Sequence, residues 1–132
     1  MKIGELAQKA QVNIDTVRYY ERQGLLPAPQ RLRSGYRQYA PGDVSRLRFV
    51  RRAKALGFTL LEIRDLLELS NHRDEDMAGM KTAAMQKLDD VEAKLAELTR
   101  IRDGLRTLVA SCPGHGILEQ CPILNALSED PA

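Results

Sequence analysis

A chain of 132 residues has room for one ordinary domain, or for a small domain and an extended helix, but is short for the two full cores of an elaborate enzyme. Its net charge of +2 hides an asymmetry: residues 1–54 hold 12 Lys/Arg against 4 Asp/Glu and the remainder 8 against 14, which points the first part at a polyanion or leaves it a solvated basic surface. No apolar run approaches the roughly 18 residues of a membrane span, and Glu5 and Gln8 interrupt any signal-like core, so a cytoplasmic location without membrane contact is expected.

Ile3, Leu6, Ala7 and Ala10 recur at helical spacing. Asn13 can cap a second helix from Ile14 to about Gln23, with Gly24 as its left-handed terminator and Pro27 and Pro29 forbidding continuation. Two short helices joined by a tight turn read as a helix-turn-helix. The stretch from Arg31 to Tyr39 places a Ser34-Gly35 turn between two short segments and reads as a small hairpin, or wing. Pro41-Gly42-Asp43 then opens a third helix with Val44, Leu47, Val50 and Leu56 inward, ended by Gly57, and Thr59-Leu60-Leu61-Glu62 fits a capping box for a fourth carrying Ile63, Leu66 and Leu67.

After the polar break at 70–76, a proline-free segment from about Met77 to Ala110 carries Leu88, Val91, Leu95, Leu98, Ile101, Leu105 and Leu108 at steps of 3 or 4. Such a helix is roughly 50 Å long, too long to bury its stripe on a small head. Pairing with a second copy is the natural solution, and folding back on the head is the alternative. The fold class expected is therefore mainly α. Residues 1–70 form a winged helix-turn-helix head, 71–110 a linker and long dimerisation helix, and 111–132 a loop, a short helix and a tail.

The second helix bears Thr16, Arg18, Tyr19 and Tyr20, donors and rings suited to a major groove, although one of the two tyrosines should face the core. Arg31, Arg33, Tyr36 and Arg37 on the wing can hold flanking phosphates. The third helix adds Arg46, Arg48, Arg51, Arg52 and Lys54, of which one or two, Arg52 first, are expected to touch DNA. No nucleophile-base-oxyanion constellation appears, so the chain is not expected to be an enzyme.

Cys112 and Cys121 flank a Pro- and Gly-containing loop just beyond the long helix, with eight residues between them. Pro122 suits the first position of a helix over Ile123–Leu127, where the dipole favours a Cys121 thiolate. Two loop thiolates can converge on one soft ion. Two small buried hydrophobes and a thiol redox switch are the competing readings. His115 is a candidate imidazole ligand for Zn(II), with His72, Asp74, Glu75 and Asp76 as further donors, or a solvated loop histidine.

Five segments occur together in an order and spacing that resemble the MerR-type regulators: Ile3-Gly4-Glu5-Leu6-Ala7, Val17-Arg18-Tyr19-Tyr20-Glu21, Gly24-Leu25-Leu26, Gly35-Tyr36-Arg37-Gln38-Tyr39 and Leu56-Gly57-Phe58-Thr59-Leu60. The resemblance spans about residues 1–127. It implies a homodimer held by an antiparallel coiled coil on a two-fold operator in double-stranded promoter DNA, distorting that DNA on effector binding so that RNA polymerase engages both promoter elements. It further implies a metal-sensing member, since similar loops after the dimer helix in that branch bring two thiolates onto one soft ion, whereas drug-sensing relatives carry a larger ligand domain for which no residues are expected to remain. Sensors of divalent ions in this family often draw a third thiolate from the start of the partner's long helix, and Asp76-Met77-Ala78-Gly79 offers none. That departure favours a two-thiolate site for Cu(I), Ag(I) or Au(I), with Met77 as shield or weak neighbour. Zn(II), Cd(II), Pb(II) and Hg(II) remain the divalent alternative.

Overall fold

In the computed structural model, which describes residues 1–129, Leu6, Ala7 and Ala10 form the buried face of α1 (Ile3–Ala10). The last three residues of the 111–132 segment lie outside the described residues. Gln11, at φ 60°, ends α1 and turns the chain into α2 (Ile14–Arg22). The Asn13 side chain accepts the Thr16 N–H at 2.7 Å, satisfying a first-turn amide that has no partner within the helix. Gly24, at φ 77°, leads the chain out of α2 and sends Leu25 and Leu26 into the core.

The wing is a pair of two-residue antiparallel strands, β1 (Gln30–Arg31) and β2 (Arg37–Gln38), with Gln30 opposite Gln38 and Arg31 opposite Arg37. Gly35, at φ 86°, makes the turn, and its N–H donates to the Leu32 carbonyl at 2.9 Å.

α3 (Gly42–Ala55) and α4 (Leu60–Ser70) complete the head, with α1 packed on α2 and α3, and α3 on α4. Leu56, expected inward, is 68% exposed. The helix ends at Ala55 with Leu56 as its cap, and Gly57 at φ 89° redirects the chain so that the Phe58 N–H reaches back to the Ala53 carbonyl at 3.2 Å. Ala53 and the half-buried Phe58 fill the place assigned to Leu56. Thr59 forms the expected capping box: its hydroxyl accepts the Glu62 N–H at 3.2 Å, and the Glu62 carboxylate accepts the Thr59 N–H at 2.8 Å. Leu6, Val17, Leu25, Tyr39, Leu47, Val50 and Ile63 are the fully buried centre of this core.

α5 (Ala78–Ser111) runs for 34 residues, about 50 Å at the rise of an α-helix. Met80 and Ala83 pack on the core, and Lys87 is its one buried residue. The compact unit of the head accordingly reaches from Met1 to Lys87, and a second unit begins at Leu88. Within that second unit a single 3₁₀ turn at Leu118–Gln120 precedes α6 (Pro122–Ser128), which has Pro122 in its first turn and Cys121 as its cap.

Candidate nucleic-acid interface and thiol pair

α2 presents Arg18 and Tyr19 to solvent, while Tyr20 is only 7% exposed and belongs to the core. Of the two tyrosines, Tyr20 is therefore the one that faces the core, and Tyr19 is the one open to a partner. The spacing explains it: Tyr20 lies three residues after the fully buried Val17, on the same helical face. Burial, followed by the neighbouring Tyr19, raises the Tyr20 phenol above its ordinary pKa. Arg18 keeps only a long 3.9 Å contact with Asp15. Thr16 is half-buried, and its hydroxyl donates to Asn13 at 2.8 Å, which leaves it lone pairs to accept with but spends its donor.

Arg31, Arg33 and Tyr36 on the wing are exposed, and Lys2 Nζ stands 5.0 Å from the centroid of the Tyr36 ring. Arg37 is different: it is ion-paired to Glu21 at 3.0 Å.

The basic residues of α3 and α4 divide in a way that composition did not reveal. Arg46 Nε donates to the Leu25 carbonyl at 2.7 Å, Arg48 to the Lys9 carbonyl at 2.9 Å, Arg51 to Gln11 at 3.1 Å, and Arg64 to the Gln23 carbonyl. These guanidinium groups bind at or just beyond the C-terminal ends of α1 and α2, where carbonyls lack helical partners and the dipole is negative. Arg52 and Lys54 are exposed, leaving them open to a polyanion.

In the second unit, Cys112 follows the last turn of α5, Cys121 caps α6, and both are half-buried. Residues of the loop from Cys112 to Pro122, with both cysteines and His115 among them, line a cavity of about 320 Å³. The Leu124 N–H donates to Cys121 Sγ at 3.5 Å, and Cys112 lines the same cavity. The Leu124 amide lowers the Cys121 pKa most, burial opposes it, and the Ile123 amide and the Cys112 thiol add smaller downward effects. Two cysteines on one small cavity, one held below its ordinary pKa, are a donor set that fits a soft ion of low coordination number.

His115 does not join them as a cluster. Its Nδ1 lies 3.2 Å from the Pro113 carbonyl, and among the described residues no group of three or more His, Cys, Asp and Glu is placed to hold a metal. His72 faces Glu75 at 3.6 Å and Glu68 at 3.9 Å, and Met77 is exposed.

A helix-turn-helix carrying an exposed arginine and tyrosine, followed by a two-stranded basic wing, defines a winged DNA-binding regulator. The family description "MerR HTH family regulatory protein" matches residues 1–70, and "MerR, DNA binding" matches residues 44–108. The chain belongs to the MerR family of transcription regulators, which are DNA-binding proteins and not enzymes. It is 41% identical over 126 residues to the mercuric resistance operon regulatory protein of Bacillus cereus, covering 96% of each chain. It is similar to PbrR691 of Ralstonia metallidurans CH34, solved in complex with lead(II), with 37% identity, a TM-score of 0.87, and coverage of 97% of this chain and 99% of that one. MerR of Bacillus megaterium MB1, solved with mercury(II), shares 37% identity with a TM-score of 0.72, over 98% of this chain and 100% of the other. No helix among the described residues is long and apolar enough to cross a membrane.

Proposed function

We propose that this chain is a homodimeric, metal-responsive regulator that grips two-fold promoter DNA through its winged heads and binds a thiophilic ion through Cys112 and Cys121. The observation that carries the reading is the placing of both cysteines on one small cavity, one of them capping a helix. Arg18 and Tyr19 enter the groove, and Arg31, Arg33, Tyr36 and Arg52 hold phosphates. These phosphate contacts provide the salt-dependent part of the affinity. The exposed seam of Leu88, Val91, Leu95, Leu98, Ile101, Leu105 and the half-buried Leu108 takes a second copy. RNA polymerase meets the complex at the promoter.

Cys112 and Cys121 would hold the ion, which would act there as a soft Lewis acid toward their thiolates. Cys112 is contiguous with α5 and Cys121 with α6, so joint ligation restrains the loop between them. A donor set of two thiolates supports a monovalent coinage metal, Cu(I), Ag(I) or Au(I). Hg(II), which also accepts two thiolates, is a second reading favoured by the mercury-named relative and the mercury(II)-bound neighbour. The lead(II)-bound neighbour keeps wider divalent coordination, including Zn(II) and Cd(II), in the test.

In vitro transcription from the chain's own upstream promoter across buffered Cu(I), Ag(I), Hg(II), Pb(II) and Zn(II) is expected to give induction at the lowest free concentration for Cu(I) or Ag(I). The response should be lost in both Cys112→Ser and Cys121→Ser. Unchanged induction in both variants would rule out the thiol site. Induction at the lowest free concentration by Hg(II) would transfer the assignment to the second reading.

A further inference from the structure

Glu21 sits in the last turn of α2, and its side chain is 15% exposed. Three hydrogen bonds converge on it. Arg37 Nη1 donates to both carboxylate oxygens, at 3.0 and 3.2 Å, and the Tyr39 hydroxyl donates to Oε2 at 2.8 Å. Arg37 lies in β2 directly across from Arg31 of β1, and Tyr39 directly follows β2. The Tyr39 ring is fully buried, and its backbone is fixed by a reciprocal pair: the Met1 α-amino group donates to the Tyr39 carbonyl at 2.9 Å, and the Tyr39 N–H donates to the Met1 carbonyl at 2.8 Å.

A hairpin with two residues in each strand does not hold a fixed position by its own ladder. Its orientation must come from anchors outside it. The Glu21 carboxylate is such an anchor, charge-assisted on the Arg37 side and partly withdrawn from water. It belongs to the same helix that carries Arg18 and Tyr19.

We propose that Glu21 is a positioning residue of the DNA interface: it ties the wing to the recognition helix and sets where Arg31 and Arg33 stand relative to Arg18 and Tyr19. Arg37 is accordingly an internal strut of the interface before it is a phosphate contact. Glu21 is acidic and approaches a polyanion only through the residues it holds, so its removal weakens binding by releasing the wing. The inference rests on the reading of Arg31 and Arg33 as phosphate contacts.

The test is a double-mutant cycle on the full-length chain, with affinity for a duplex of its own upstream promoter followed by fluorescence anisotropy and folding by thermal unfolding. Glu21→Ala is expected to weaken binding about tenfold, on the scale of lost hydrogen bonds to a charged group. Glu21→Gln, which keeps an oxygen for Tyr39 and Arg37 but no charge, should lose about threefold and serves in the cycle if the alanine variant unfolds. In an Arg31→Ala/Arg33→Ala background, either Glu21 substitution should change affinity by less than about twofold, because the wing it positions no longer contributes. If the arginine variant is weakened and the Glu21 loss adds to it in full, Glu21 acts elsewhere and the inference is overturned while the wing reading stands. If the arginine variant binds as tightly as the original chain, the wing reading fails and takes the inference with it. An unchanged affinity on Glu21→Ala overturns the inference directly.

Discussion

Cys121 illustrates how little sequence is needed to bias a single group. Proline at the next position starts a helix, and the sulfur at its cap receives the Leu124 N–H. That hydrogen bond holds the thiol below its ordinary pKa of 9.0, with help from the Ile123 amide and the Cys112 thiol. Alkylation of metal-free protein by iodoacetamide, followed by peptide mapping across pH, should therefore show a Cys121 midpoint below that value. In Cys112→Ala the midpoint should move upward but stay depressed, because the two amides remain. A midpoint at the ordinary value in the original chain would refute the cap as the cause. The adjacent tyrosines of α2 offer a second separation at the same scale. Tyr20→Ala removes a core ring and should cost about 3–5 kcal/mol in thermal or urea unfolding. Tyr19→Ala, on the exposed face, should leave stability within about 0.5 kcal/mol and weaken DNA binding instead. Equal losses of stability in the two variants would contradict this division.

Among the elements, α4 and α5 are joined through Glu62. Its carboxylate caps Thr59 and also meets Lys87 Nζ at 2.8 Å, and Lys87 is otherwise surrounded by the head, 5.6 Å from the Phe58 ring centroid. The Lys87 ammonium first, and the Thr59 amide second, pull the Glu62 carboxyl from 4.5 to about 2. A carboxyl depressed on folding stabilises the native state above its unfolded pKa and stops doing so as the pH falls through its folded value. Stability that rests on Glu62 should thus be complete above pH 4.5 and lost progressively toward pH 2. Urea unfolding in that window should be less pH-dependent in Glu62→Gln than in the original chain, and parallel curves would show that the carboxylate contributes nothing on folding. The Thr59 cap was legible in the sequence because both partners lie within four residues, and so were Asn13 and the glycine terminators Gly24 and Gly57. What could not be read locally are the guanidinium contacts of Arg46, Arg48, Arg51 and Arg64, which reach carbonyl or side-chain oxygens 21 to 41 positions away. The composition of α3 announced a basic face; only the packing of α1 and α2 beside it divides struts from open charges. Leu56 failed for a related reason, since a helical period holds only until the helix ends, and α3 ends at Ala55, one residue before it. The spacing of the cysteines was on the page, but the cavity that both line depends on how the loop between them closes.

At the scale of the whole molecule the governing fact is an exposed apolar seam. Along the second unit Leu95, Leu98, Ile101, Leu105 and Val109 line one shallow groove of α5, and each is at least half exposed. Fully burying a side chain of this size is worth about 1.5–3 kcal/mol, so five left in water forfeit a large part of what a small domain has to spare. A second copy of the same helix covers such a seam symmetrically, because each residue that needs a partner finds one on the other chain. Dimerisation of this kind also raises affinity for a two-fold operator, since the second head binds at high effective concentration once the first is seated, a gain of roughly 10²–10⁴. Leu98→Glu combined with Ile101→Glu places two charges in the seam and leaves the sequence of the head unchanged. The double variant should sediment as a monomer at concentrations where the original chain is a dimer. Its affinity should fall about 100-fold or more on a full two-fold site, yet change little on an isolated half-site. A double variant that stays dimeric would move the interface elsewhere. One that becomes monomeric but binds the full site undiminished would mean that a single head carries the whole affinity, and the seam would then serve regulation alone.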